Sequence, residues 1–497
     1  MSATAVRPRP RRLAGRTPAG RWLQSWLARP MTSLHLLLGV FGLLTGMGLV
    51  MVLSASSARA AAGPTGSAFS LFQRHVLFVS LGAVLFYLGL RTPLRVIRRL
   101  GLPAVLVSVV LLGLVLVPGI GSSVNGSRSW FVVGSLSLQP SEAAKVAVAV
   151  WGAHLLATRR PHLAPLRHLL VPLLPMVTLL ALLILLQPDL GTTITLAVIV
   201  AALLWFGGMS IRLFVLLASL AGAGALAFAL TVGPRSARIS SWLNPNANLQ
   251  STGYQALQAR YSLADGGWWG VGLGQSRAKW NYLPNAHNDF IFAIIGEELG
   301  FIGCAVVLGL FALLACVGLR IAARSVDPFQ ILLAATCTVW MVGQAFLNVG
   351  YVSALLPVTG LQLPMISAGG TSTALTMLVF GLLANVARHE PPAIAALRTG
   401  EDGILARWLR LPAPQPYVPQ PYIQRRAVRP PTAPVPGGRP ARPAVRPARP
   451  QPPRAGSTQP SRSQPARSQT ERHPPVTGRT RTRSAGPSGR AHPGGRR

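Results

Sequence analysis

The sequence predicts an all-α fold: a polytopic membrane helical bundle of about ten transmembrane helices, followed by a disordered basic C-terminal tail. Half of the 497 residues are hydrophobic, and the mean hydropathy is +0.43. Only 12% are charged, yet the formal net charge is +36, whereas soluble domains carry about 25% charged residues. The values agree only if an apolar body is joined to a separate basic segment, which excludes an ordinary cytosolic enzyme.

Ten apolar runs are candidates to cross a bilayer, whose hydrocarbon core requires about 20 apolar residues per helix. They lie at 34–53, 71–90, 101–118, 140–157, 169–186, 190–207, 211–231, 289–317, 327–349 and 371–388. The sequence Ala58-Arg59-Ala60 after the first run resembles a signal-peptide cleavage site. Because that run is longer than a signal-peptide apolar region and more spans follow, an uncleaved anchor is favoured.

Composition divides the chain into three segments. Residues 1–30 are basic and form the predicted cytoplasmic N-terminal segment, and residues 31–390 form the membrane domain, with a long outer loop at 232–288. Residues 391–497 are almost wholly Pro, Arg, Ala, Gly, Ser and Gln. Such a composition cannot bury enough apolar surface to offset the entropy of the chain. We therefore predict a disordered, Pro/Arg-rich cytoplasmic tail.

Arginine in the short loops predicts the orientation, because cytoplasmic loops carry an excess of basic residues. The loops after the second, fourth and eighth runs hold most of them: Arg91, Arg95, Arg98, Arg99, Arg159, Arg160, Arg167, Arg320 and Arg324. The alternate loops are nearly bare, so both termini are predicted to be cytoplasmic. The long outer loop is the exception, since it contains Arg235, Arg238, Arg260, Arg277 and Lys279.

Ionisable side chains near a membrane span are costly and are functional candidates. Glu142 and Lys145 begin the fourth run and, being three residues apart, share one helix face. They are either a structural ion pair or part of an anion site in which Lys145 and Arg74 face a phosphate.

Two further outer segments contain candidate ligand groups. Asp189 follows a proline and precedes a helix, so it is either a plain N-cap or part of the site. Segment 357–372 is apolar but broken by Pro and Gly, which predicts a re-entrant outer segment that lines a cavity. It is either a tight turn or a phosphate site at a helix start. Its candidate residues are Ser367, Gly369, Gly370 and Thr371.

Asp289 begins the eighth run at the edge of the outer loop, where it is either an N-cap or a catalytic carboxylate. Glu297 lies eight residues on, roughly 12 Å along a helix axis. That exceeds the roughly 5–9.5 Å between paired glycosidase carboxylates, so we do not expect an acid/base pair. A lone base suits a reaction whose leaving group, such as a diphosphate, needs no protonation. His287 is a rival base, although it lies off the helix.

No metal site is predicted from the residues. Cys304, Cys316 and Cys337 lie inside apolar runs without metal-ligand spacing, so they are expected to act as small hydrophobic residues.

Six segments resemble, in their order and in their residues, motifs of the SEDS family of shape, elongation, division and sporulation proteins. They are NGSRSWF (125–131), QPSEAAK (139–145), QPDLGTT (187–193), YSLADGGWWGVGLGQS (261–276), AHNDFIFAIIGEELG (286–300) and PVTGLQLPMISAGGTS (357–372). The resemblance covers roughly residues 34–390 and is strongest to the division branch, of the actinobacterial kind with a long basic tail. The chain has Asn288 where the family often has Thr, and Ala368 where it often has Tyr.

The resemblance implies a peptidoglycan glycosyltransferase that polymerises lipid II into glycan strands at the outer face of the cytoplasmic membrane during cell division. We expect inversion at the donor anomeric carbon, with Asp289 as the catalytic general base. Arg74, Lys145, Arg235 and Arg238 are candidates to balance the diphosphate, and a divalent cation, Mg²⁺ or Mn²⁺, is a candidate to share that task. The alternatives are a RodA-type elongation polymerase, a lipid II flippase or transporter, and a non-catalytic scaffold.

The resemblance also implies partners and a location. A class B penicillin-binding protein would cross-link the strands, and other division proteins would gather at the septum. The basic tail predicts either loose adhesion to anionic lipid or docking of an acidic segment of FtsZ. Nucleic acid is not an expected partner, because the sequence contains no folded reader domain.

Overall fold

The structure is a computed structural model that describes residues 25, 29–62, 66–124, 127–134, 136–159, 166–231, 239–244, 252–280, 282–398 and 411–417. Its longer helices are α1 (Thr32–Ala61), α2 (Ser70–Arg91), α3 (Leu94–Leu116), α4 (Pro140–Arg159), α5 (Leu166–Leu186), α6 (Leu190–Phe206), α7 (Ile211–Thr231), α8 (Thr252–Asp265), α9 (Ile291–Arg324), α10 (Pro328–Val352), α11 (Thr371–Arg388) and α12 (Pro391–Arg398). Each predicted apolar run coincides with one of them, in order α1–α7 and α9–α11. Six (α1, α2, α3, α9, α10 and α11) are long and apolar enough to cross a membrane. The predicted helical membrane bundle is confirmed.

A small antiparallel sheet, which the sequence did not lead us to predict, lies in the loop between α3 and α4. Its strands β1 (Ser122–Val124), β2 (Ser127–Val133) and β3 (Leu136–Leu138) pair in that order. Strand β2 contains Trp, Phe and two Val residues, which favour extended backbone. The Ser127 hydroxyl donates to the Gln187 carbonyl, and the Thr371 hydroxyl donates to the Ser137 carbonyl at 2.6 Å. The sheet is therefore tied to the end of α5 and to the start of α11.

Side-chain contacts sort the loops into two ends of the bundle. At one end, which we call the basic end, Arg98 pairs with Asp327 and Arg324 lies 3.4 Å from Glu390. These contacts join the loops after α2, α9 and α11. At the other end, the long-loop end, the sheet contacts join the loops after α3, α5 and α10. The alternation is the one that the arginine pattern predicts.

The predicted tail boundary at residue 391 is placed too early. Helix α12 stands there instead, with Ala393, Ile394 and Ala396 buried. Arg388 at the end of α11 donates to the Pro412 carbonyl at 2.9 Å. A few small apolar residues are enough to dock a short helix, which overall composition does not reveal. The predicted N-terminal segment up to residue 24 and the tail from residue 418 lie outside the described residues.

Glycines let α2 and α11 pack backbone against backbone. A Cβ added at Gly82 would lie 3.1 Å from the Ala374 Cα, and one added at Gly381 would overlap the Phe86 carbonyl oxygen. Small residues at such positions allow the close helix approach that drives association in membranes, where lipid is as apolar as the side chains.

We predict that Gly381→Ala lowers the melting temperature of the purified protein, because the new methyl group forces the two helices apart at a cost of about 1–3 kcal/mol. Gly113→Ala in α3 is the matched control, since nothing lies within 4 Å of its Cβ position. Alanine is favoured over glycine in a helix by about 0.5–1 kcal/mol, so the control should be neutral or stabilising. Equal melting temperatures for both variants would contradict the close packing.

Candidate active site

Asp289 lies at the long-loop end, just before α9, and is partly exposed. Its backbone carbonyl accepts hydrogen bonds from Asn348 Nδ2 (2.9 Å) and Tyr351 Oη (2.7 Å). The same two side chains reach the Leu361 carbonyl at 2.7 and 2.5 Å. Two side chains of α10 therefore fix Asp289 and segment 357–370 to each other.

Asp289 directly precedes Phe290, the N-cap residue of α9, which makes no side-chain cap hydrogen bond. Asp289 Oδ2 lies 3.7 Å from the Cβ position of Gly360, whose φ is 74°. A larger residue at position 360 would be strained and would crowd the carboxylate. The N-cap and the catalytic roles of Asp289 both stay predictions.

Segment 357–370 also binds the two residues before Asp289. The Ser367 hydroxyl donates to the Asn288 carbonyl (2.8 Å) and accepts from the Leu363 N–H (2.8 Å). The Ala368 N–H donates to the His287 carbonyl at 3.1 Å. The carbonyls of three consecutive residues are thus satisfied from α10 and from this segment, which holds the backbone around the carboxylate rigidly.

The residues predicted to bind phosphate at the start of α11 form hydrogen bonds and packing contacts within the protein. The Ser367 hydroxyl is engaged as described, and the Thr371 hydroxyl donates to the β3 backbone. Gly370, with φ 52°, places its Cβ position 3.2 Å from the Phe78 ring, and Gly369 packs against Gln362. Phosphate binding by backbone N–H groups of this segment stays a prediction.

Lys145 is fully enclosed and ion-paired. Its Nζ lies 2.7 Å from Glu142 Oε1 and 3.4 Å from Gln344 Oε1, and 5.2 Å above the Trp340 ring centre. Its side chain has 0% exposure, so no ligand can contact it in this arrangement of the helices. This geometry favours the structural ion pair over direct contact with a phosphate.

Asp189 caps α6 and also lies beside the ion pair. Its carboxylate accepts from the Thr192 N–H (3.0 Å) and from Gln139 Nε2 (3.0 Å). The charges of Glu142 and Lys145 both act on it. Glu142 already neutralises the ammonium group of this cluster, which does not favour a diphosphate there.

Glu297 and Glu298 hold the glycine-rich part of the outer loop. Glu297 accepts from Ser276 Oγ (2.7 Å) and from two loop N–H groups at 2.6 and 3.4 Å. Glu298 accepts from Ser54 Oγ (2.6 Å) and lies 3.6 Å from Lys279 Nζ. Because Glu297 is saturated by the loop, it has no free role as the acid/base partner of Asp289, in line with the expectation from spacing.

The remaining predicted cations differ in how well they are placed. Arg74 lies on the exposed side of α2, while Arg235 and Arg238 lie outside the described residues. Burial, helped by the charge of Arg59, lowers the pKa of His287 to about 4, so its ring is neutral at neutral pH. Within the described ranges, no group of three or more His, Cys, Asp or Glu side chains is placed to hold a metal ion.

Comparison with known proteins identifies the family. A family model described as cell cycle protein, covering FtsW, RodA and SpoVE, matches residues 34–391. The chain belongs to this family. The match spans the membrane domain and contains all six motif segments, which confirms the resemblance to the SEDS proteins.

Individual relatives place the chain within the FtsW/RodA/SpoVE family. A probable peptidoglycan glycosyltransferase FtsW of Mycobacterium tuberculosis is 52% identical over 86% of this chain and 82% of its own length. Stage V sporulation protein E of Bacillus subtilis is 38% identical over 72% of this chain and 98% of its own. These values confirm the predicted FtsW-type, actinobacterial character.

Two solved structures of the FtsW/RodA/SpoVE type share the fold. A chain from a peptidoglycan synthase complex that coordinates polymerization and crosslinking aligns with a TM-score of 0.60 and 28% identity, covering 74% of this chain and 99% of that one. The rod shape determining protein RodA of Thermus thermophilus aligns with a TM-score of 0.53 and 27% identity, with the same coverage. The fold is therefore that of multi-pass membrane proteins of this family.

Sequence reasoning missed the side chains that position Asp289. Gln344, Asn348 and Tyr351 follow one another at spacings of four and three, so they share one face of the otherwise apolar α10. Gln344 Nε2 donates to the Gln362 carbonyl at 2.9 Å, as its neighbours do to Leu361 and Asp289. A polar stripe on an intramembrane helix was the signal that would have found them.

We predict that Lys145→Met destabilises the protein by about 3–5 kcal/mol, because it leaves Glu142 as an uncompensated buried charge. The double variant Glu142→Gln/Lys145→Met should recover most of the loss, since neither charge remains. Thermal unfolding of the purified variants in one detergent measures both. A single variant as stable as the wild type would argue against the ion pair and return Lys145 to the list of ligand groups.

Proposed function

We propose that this chain is a peptidoglycan glycosyltransferase that polymerises lipid II at the outer face of the cytoplasmic membrane during cell division. The observation that carries the proposal is Asp289: a partly exposed carboxylate at the long-loop end, on a backbone fixed by α10, in a motif of the family. The similarity to a probable peptidoglycan glycosyltransferase FtsW supports the same activity.

The proposed reaction is a single displacement with inversion. The 4-hydroxyl oxygen of the incoming lipid II attacks the anomeric carbon of the lipid-linked strand, and Asp289 takes the hydroxyl proton as general base. The bond from that carbon to the lipid diphosphate breaks, and the diphosphate leaves with its electron pair. No acid is needed at the leaving group, which agrees with Glu297 being held by the loop.

The proposed balance of the diphosphate charge falls to the cations of the long-loop end. Arg74 and the outer-loop residues Arg235 and Arg238 are the candidates for direct contact. Lys145 acts indirectly, because it neutralises Glu142 and so limits the negative charge beside the substrate. Asp189 has the role of a helix cap in the same cluster.

The proposed topology puts the long-loop end outside and both termini in the cytoplasm. It rests on the arginine pattern and on the two-ended arrangement of the loops. In this orientation Asp289 faces the side where glycan strands grow, and a class B penicillin-binding protein is the expected cross-linking partner. The similarity to mycobacterial FtsW supports the septum as the site of action.

We predict that Asp289→Asn abolishes glycan polymerisation by the purified protein with its penicillin-binding partner, while the melting temperature stays near the wild-type value. The amide keeps the size of the side chain and the contacts of the backbone carbonyl, but it cannot accept the proton. Loss of a general base typically costs about 10²–10⁴-fold in rate. Gel analysis of polymer made from lipid II, without any transmembrane gradient, measures the effect.

Asp265→Asn is the matched control, since Asp265 is an exposed aspartate at the end of α8 in the same outer loop. It should polymerise normally. Near-normal polymer from folded Asp289→Asn would sink the assignment of the base, and polymer-free wild type that still moves lipid II across vesicles would favour a flippase.

We predict that removing residues 418–497 leaves polymerisation in vitro unchanged but reduces recruitment to the septum. The cut spares residues 411–417, one of which contacts Arg388, so the bundle stays intact. The tail and Asp289 lie on opposite sides of the proposed membrane, and an acidic segment of FtsZ is the proposed tail partner. Fluorescence imaging of the truncated protein measures recruitment; unchanged septal signal would leave only lipid adhesion as the role of the tail.

A further inference from the structure

His75 is a buried side chain whose ring nitrogens form no hydrogen bond within the protein. It lies on the inner face of α2, five residues from the helix start, and only 3% of it is exposed. Neither Nδ1 nor Nε2 has a hydrogen-bond partner. A buried polar group without a hydrogen-bond partner destabilises the folded protein. The presence of this imidazole in an apolar helix therefore suggests that a bound ligand supplies the missing hydrogen bond.

Two other unsatisfied atoms lie near the same turn. Asn288 Oδ1 and Gln362 Oε1 are both buried without a hydrogen-bond partner. Gln362 Oε1 abuts Gly369, and the Asn288 backbone is bonded to Ser367. Both residues therefore contact the turn of residues 367–370, Gln362 through its side chain and Asn288 through its backbone.

Contacts place His75 beside this turn as well. Phe78, one helical turn after His75 on the same face, packs its ring against Gly370. His75 also acts electrostatically on His287, whose carbonyl accepts from the Ala368 N–H at 3.1 Å. The three groups thus belong to segments that contact turn 367–370, and Asn288 is the residue immediately before Asp289.

The chemistry of the three groups selects a neutral ligand that donates hydrogen bonds. Amide oxygens accept only, and a neutral imidazole offers one acceptor and one donor. Acceptors therefore outnumber donors, which suits sugar hydroxyls and an acylamino N–H, whereas a diphosphate offers acceptors alone. Because these atoms lack solvent contact, a ligand reaches them only when Gly369 and Gly370 shift. The backbone freedom of glycine permits that shift, while Ser367 and Ala368 keep their bonds to Asn288 and His287.

We propose that His75, Asn288 and Gln362 form a carbohydrate subsite beside Asp289, in which the His75 ring hydrogen-bonds a sugar of the bound lipid substrate. The inference rests on the proposed function and assigns the sugar part of the substrate to the side of α2 that faces turn 367–370. It separates sugar recognition from the cations proposed for the diphosphate.

Binding is measured on the full chain in the Asp289→Asn background, so that catalysis does not enter. The probes are lipid II and undecaprenyl diphosphate, which lacks the sugars. His75→Phe should weaken lipid II binding about tenfold, the usual loss for one hydrogen bond, and leave undecaprenyl diphosphate binding unchanged. His75→Gln, whose amide supplies a donor and an acceptor, should restore most of the affinity. His35→Phe, at the exposed basic end of α1, should bind both probes normally.

The melting temperature of His75→Phe should equal or exceed that of the wild type, because an unsatisfied buried group has been removed. A lower melting temperature with unchanged lipid II affinity would overturn the proposal and leave His75 a packing residue. Equal weakening for both probes would overturn it in favour of a diphosphate contact. Failure of the wild type to polymerise lipid II would instead contradict the proposed function, which this binding assay does not test.

Discussion

The structure depends on one constraint: backbone polar groups that leave regular helices inside an apolar bundle must find partners within the protein. The non-helical stretches around 266–290 and 357–370 meet it through side chains of neighbouring helices. Asn348 and Tyr351 serve the carbonyls of Asp289 and Leu361, and Glu297 serves loop N–H groups near Ser276. The candidate active site lies where α10 binds both non-helical stretches, at Asp289 and Leu361.

Several charged side chains of the bundle likewise find partners within the protein. Lys145 pairs with Glu142, Arg98 with Asp327, and Arg324 with Glu390. The last two pairs join segments far apart in sequence and hold the loops of the basic end together. His75, Asn288 and Gln362 each have a buried polar atom without a hydrogen-bond partner, and the proposed ligand would supply those partners.

The same contacts separate rigid from adaptable parts of the site. Asp289 is held through its backbone carbonyl by Asn348 and Tyr351, so the start of its side chain has a fixed position. Turn 367–370 is anchored at Ser367 and ends in two glycines, Gly369 and Gly370, the second with a φ of 52°. The candidate site therefore combines a fixed backbone at Asp289 with two glycines whose backbone can adapt.

The sequence by itself determined the ten helical runs, their alternation between two ends and the position of Asp289, because apolar length, arginine bias and motif order are local properties. Only the tertiary structure decided what the polar residues do. The hydroxyls of Ser367 and Thr371 donate to distant backbone carbonyls. The Glu297 carboxylate accepts from Ser276 of the outer loop. These partners lie tens to hundreds of residues away, so no local pattern specifies them. The short sheet and α12 escaped prediction for the same reason, since each is stabilised by docking on the bundle rather than by its own sequence.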